Sequence, residues 1–84
     1  AMVDGSVAMG LSREDATTLT IQTIVGAAAL LDESSDTPTR LREKVTSLKG
    51  ATAEALAVFE EAGISKIVAD AMAASARRAG ELAQ

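Results

Sequence analysis

The sequence predicts an all-α fold, and three observations carry that prediction. Ala, Leu, Glu, Lys, Arg, Met and Gln dominate the 84 residues, Pro38 is the single proline, and apolar residues recur at helical spacing. The expected architecture is a small bundle of about five helices, interlocked with a second chain as a dimer. An oligomer follows from the thin apolar content, and the dimer from a second helix that is apolar on more faces than one chain of this length can cover. The hydrophobic share is 48%, but 18 residues are Ala, and Phe59 is the sole aromatic. Large aliphatic and aromatic side chains supply most burial energy. A chain this short therefore has too little core of its own and needs close helix packing or a partner.

The elements follow in order. Residues 1–9 read as the tail of a helix that ends at Gly10. Ala1 is not an initiator Met, and the chain runs straight into structured-looking sequence, so a fragment of a longer protein is expected. Ser12 with Asp15 resembles a capping box, and Glu14 and Asp15 suit a first turn, predicting a helix to about Glu33. Its apolar residues form two faces, Ala16, Leu19, Thr23, Ala27 and Leu30 on one and Ile21, Ile24, Ala28 and Leu31 on the other. Such a helix belongs in the centre of an assembly. Residues 32–37 form a polar turn, and Asp36 or Thr37 caps a short third helix with Pro38 at its first position. Leu41 and Val45 point inward on it. Gly50 breaks the pattern. Ala55, Val58, Phe59 and Ala62 define a fourth helix, closed by Gly63. Ser65 caps a fifth, with Val68, Ala71, Met72, Ser75, Ala79 and Leu82 on one face and Lys66, Asp70, Arg77 and Glu81 on another.

Charge and residue chemistry exclude several functions. Eight Lys and Arg against twelve Asp and Glu give a net charge of -4, which disfavours nucleic acid and anionic membrane as partners. Without Cys or His there is no thiolate chemistry, no disulfide framework and no usual zinc site or imidazole base. The cytoplasm is the expected compartment. The uncharged run of residues 16–31 is too short and too rich in Thr to span a bilayer. Asp32, Glu33 and Asp36 lack the spacing of a calcium loop. Gln22, Thr23 and the Gly26 to Ala29 run suit helix packing, and Arg77 and Arg78 suit a helix C-terminus.

One segment could hold a ligand. From Thr46 to Thr52, small residues, hydroxyls and a helix start converge, and the free N–H groups of that start suit a carboxylate or phosphate. Thr46, Ser47 and Thr52 offer hydroxyls, and Lys49 a positive charge. The same residues also fit a plain helix break at Gly50, with Thr52 or Ser47 as the next cap.

Val45-Thr46-Ser47-Leu48-Lys49-Gly50-Ala51-Thr52, preceded by Pro38 and Leu41-Arg42, resembles the signature of pyrroline-5-carboxylate reductases, V-T/S-S-P-G-G-A/T-T. Further likeness lies in Asp4-Gly5, Gly10-Leu11, Arg13, Ala16, Leu19, Gln22-Thr23 and Gly26-Ala27-Ala28. Ala55-Leu56, Glu60, Gly63 and Glu81-Leu82 extend it downstream. The resemblance implies a C-terminal dimerisation and substrate-loop domain over residues 1–84, with the N-terminal Rossmann domain outside this chain. It implies a parent oxidoreductase of proline biosynthesis that reduces 1-pyrroline-5-carboxylate to L-proline with NADPH or NADH. The chain alone is expected to bind no cofactor and to be inactive. Its partners would be a second copy, in a homodimer or higher homo-oligomer, and the small-molecule substrate, with no nucleic acid and no membrane. Carried onto this chain, Ser47, Gly50, Ala51 and Thr52 receive the substrate carboxylate. Leu48 stands where the family has Pro, and Lys49 where it has Gly. That difference keeps open a second reading, a non-catalytic helical dimerisation module from a reductase paralogue with an altered loop.

Overall fold

The computed structural model describes residues 1–46 and 50–83. They form five α-helices and, among the described residues, no strand: α1 Met2–Ala8, α2 Arg13–Glu33, α3 Pro38–Val45, α4 Ala51–Ala62 and α5 Ile64–Leu82. The chain divides into two compact units, Ala1–Arg42 and Glu43–Gln84, with the boundary inside α3. Each is described by itself.

In the first unit α1 packs on α2 as a helical hairpin. Gly10 makes the turn with φ +115, a backbone state that side-chain-bearing residues rarely adopt. Ser12 then caps α2, its hydroxyl oxygen accepting from the Asp15 N–H at 3.1 Å, and Glu14 and Asp15 place negative charge in the first turn. Arg13 donates to Asp4 across the hairpin at 3.0 Å, an exposed pair worth no more than about 1 kcal/mol. Ala16 sits where the helices meet and is fully buried. Its single methyl lets α1 come close. Beyond this contact α2 is exposed on both of its apolar faces, with Leu19 and Leu30 on one and Ile21, Ile24 and Leu31 on the other. The helix expected at the centre of an assembly therefore has little cover from within its own unit.

Gln22 and Thr23 are likewise exposed, so burial within their own unit does not explain them. The Thr23 hydroxyl donates to its own helix at Leu19 O, 2.7 Å. Thr37 is the cap that introduces α3, its side-chain oxygen accepting from the Arg40 N–H at 3.1 Å. In α3 Leu41 is half-buried, but Val45, expected inward, is exposed.

In the second unit α4 and α5 meet at one residue. Gly63 ends α4 with φ 77 and ψ 44 and also precedes α5. The Gly63 N–H donates to Glu60 O at 3.1 Å, and its own carbonyl accepts from the Ile67 N–H at 3.0 Å, starting α5. Ser65 therefore is not the cap of the fifth helix. It lies inside the first turn, and α5 has no side-chain cap bond. Arg77 and Arg78 also differ from expectation, because the last turn of α5 holds no basic residue. The dipole acts chiefly within that turn. Arg78 instead pairs with Glu81 at 3.0 Å. Val58, Phe59, Ile67, Val68, Met72 and Leu82 are all exposed, and no residue of α4 or α5 is fully buried.

Candidate functional site at the start of helix α4

The candidate site is set by how α4 begins. Gly50 is its N-cap, with φ -84 and ψ 169, and this cap residue offers no side-chain bond to the helix start. The first intrahelical bond runs from the Glu54 N–H to Gly50 O at 3.2 Å. Helix geometry consequently leaves the N–H groups of Ala51, Thr52 and Ala53 without backbone partners and directed out of the helix end. Three such donors, at the positive end of the helix dipole, have the chemistry to attract a small anion.

Gly50 is half-buried, whereas Ala51 and Thr52 are exposed, so this backbone is open to a ligand. Thr52 is a first-turn residue and not a cap, which removes the expectation that it merely caps α4. Gly50 has negative φ, so no left-handed backbone requires glycine there. Ser47, Leu48 and Lys49 lie outside the described residues, and the expected roles of Ser47 and Lys49 fall there with them. On the near side, the Thr46 N–H donates to Glu43 O at 3.3 Å as α3 closes.

One residue escaped the sequence reading. Glu54 places a carboxylate in the first turn of α4, where it stabilises the helix but repels an anion arriving at the same N–H groups. Its position four residues after Gly50 was the available signal. A nicotinamide dinucleotide is commonly held by a strand, a Gly-rich turn and a following helix, and among the described residues there is no strand. No group of His, Cys, Asp and Glu among them is arranged to hold a metal ion, and no helix described is long and apolar enough to cross a membrane.

Comparison with known proteins gives consistent matches. Residues 1–82 match the family model for pyrroline-5-carboxylate reductase dimerisation. A pyrroline-5-carboxylate reductase of Pseudomonas aeruginosa is 42% identical over 84 residues, covering 100% of this chain and 31% of the relative. Pyrroline-5-carboxylate reductase 2 of Rattus norvegicus is 40% identical over 82 residues, 98% of this chain and 26% of the relative. In three dimensions, the crystal structure of Plasmodium falciparum pyrroline carboxylate reductase with NADP bound matches with a TM-score of 0.88 and 30% identity. That match covers 92% of this chain and 31% of the other. The chain thus spans less than a third of the proteins it matches. With the family model matched from the first residue to the third from last, the chain belongs to the pyrroline-5-carboxylate reductase dimerisation family.

Proposed function

We propose that this chain is the self-associating and substrate-carboxylate-binding part of a cytoplasmic NAD(P)H-dependent reductase that converts 1-pyrroline-5-carboxylate to L-proline. The observation that carries the reading is the match over residues 1–82 to the reductase dimerisation family. Exposed apolar side chains support the self-association: Leu19, Ile21, Ile24, Leu30 and Leu31 of α2 are all exposed. The apolar residues on both faces of α2 are where a second copy would pack.

In this reading Ser47, Gly50, Ala51 and Thr52 receive the substrate carboxylate at the start of α4, and the Thr52 hydroxyl faces the ring nitrogen. The dinucleotide is held by residues outside this chain and supplies the hydride. Glu54 opposes the anion, so a counter-charge is needed, and Lys49 is the nearest cation in sequence. Leu48 and Lys49 also favour a second reading, in which the chain assembles but its loop no longer handles the substrate.

Sedimentation of the chain should give a dimer at micromolar concentration. A stable monomer there would remove the self-association. Proline added to the labelled chain should shift the amide signals of Gly50, Ala51 and Thr52 with affinity no better than about millimolar, roughly -4 kcal/mol. In the full-length protein, Thr52→Val should lower turnover. Since Thr52 is no cap, its stability should change by less than about 0.5 kcal/mol. Unchanged turnover in an active protein sinks the assigned role of the Thr52 hydroxyl. Failure to turn over the imine at all favours the second reading.

A further inference from the structure

The exposed face of α5 carries a charge pattern that its own chain does not use up. Successive helical residues turn by about 100°, so Lys66, Asp70, Arg77 and Glu81 fall within a stripe about 60° wide. Their signs alternate along the helix. Lys66 and Glu81 lie equally far from the point between Ala73 and Ala74, and so do Asp70 and Arg77. A two-fold rotation through that point, with a second α5 running antiparallel, sets Asp70 of each chain against Arg77 of the other. It also sets Lys66 against Glu81. The stripe is complementary to itself reversed.

Within the chain, Lys66 pairs with Asp70 and Arg78 with Glu81, all exposed. Arg77 has no ion pair among the described residues. Beside this stripe, Ala69, Ala73, Ala76 and Gly80 stand at i, i+4, i+7 and i+11, a heptad seam of small side chains. Their midpoint lies one residue from the centre of the charge pattern, within about 1.5 Å along the helix. In a heptad pairing, Asp70 and Arg77 flank that seam on one side, and Met72 and Ala79 flank it on the other. Gly80 is the least explained of these residues by its own fold. It lies in a helix, where glycine is unfavourable, and a Cβ built on it meets nothing within 4 Å.

We propose that α5 packs antiparallel against α5 of a second copy, with Asp70 of each chain facing Arg77 of the other. This deepens the self-association reading and rests on it. It names the helix, the direction and the pairing that the assembly uses on this face.

The test uses charge reversal in trans. Asp70→Arg alone sets Arg against Arg at both crossings, and Arg77→Asp alone sets Asp against Asp. Each should raise the dimer dissociation constant about tenfold at low salt. An equimolar mixture of the two variants should recover wild-type affinity, because in the mixed dimer both crossings hold opposite charges. Asp70 and Arg77 are seven residues apart on one helix, so contact within a chain does not produce that rescue. A wild-type dimer with unshifted single variants, or a mixture no tighter than its components, overturns the α5 pairing and leaves self-association standing. A monomeric wild-type chain overturns both.

Circular dichroism checks that the variants keep their helix content. If either loses it, cysteine pairing decides, since the protein has no Cys of its own. Chains carrying Ala73→Cys mixed with chains carrying Ala76→Cys should form mostly mixed disulfides. Predominant self-linked pairs would mean a parallel arrangement, and no cross-link would mean separated helices. Either result overturns the proposal.

Discussion

The α1–α2 hairpin and the α4–α5 pair are both two helices joined by a tight, glycine-containing turn, yet they are held in different ways. The hairpin has devices of its own: a hydroxyl cap at Ser12, an ion pair between Asp4 and Arg13, and Ala16 fully buried at the contact. The α4–α5 pair has no side-chain cap at either helix start and no buried residue. What fixes it locally is the left-handed Gly63. The difference teaches that similar helical content conceals different local specification. The first pair is set by side-chain contacts although α2 still exposes apolar faces, whereas the second is set by its backbone joint.

Ala16→Leu is the largest expected break in that contrast. Inserting three carbons into the α1–α2 contact should cost about 1–3 kcal/mol, measured by urea denaturation. Ala57→Leu on exposed α4 is its control and should change stability within about 0.5 kcal/mol. Equal effects would mean that Ala16 is not a packing site.

Gly63→Ala comes next, with an expected loss of about 1–2 kcal/mol, because φ 77 forces a Cβ against the following carbonyl. Native-state hydrogen exchange should locate the loss in α4 and α5. Protection lost equally in α1 and α2 would mean that the two pairs unfold as one body.

The smallest change sharpens the comparison by pairing two serines. Ser12→Ala should cost about 1 kcal/mol through the lost cap, while Ser65→Ala, inside the first turn of α5, should be neutral within about 0.5 kcal/mol. Thermal melts of the two variants side by side check it. A loss at Ser65 as large as that at Ser12 would return Ser65 to a capping role.

What could be read from the sequence follows the same division. The span of α2 was legible because Ser12 and Asp15 state its start in local chemistry, and the end of α4 because Gly63 tolerates a left-handed backbone. Ser65 was misread since serine is a strong capping residue, yet Gly63 had already started α5 through its own carbonyl. Val45 and the α2 faces read as buried because periodicity reports that a surface is apolar, not which molecule covers it. The helix start at Gly50 was legible from the break in the helical pattern, but the charge that Glu54 puts into its first turn was not. The identity of the ligand drew on resemblance, since free N–H groups accept any small anion.

Because Gly63 both ends α4 and begins α5, there is no slack between them. A residue inserted at this joint turns everything after it by about 100° about the helix axis and moves it about 1.5 Å along. The polar turn between Glu33 and Pro38 instead has room to take an added residue as loop. Changes in length among sequences of this kind should therefore gather before Pro38 and avoid Gly63, and an epitope tag or labelling peptide belongs at the former position.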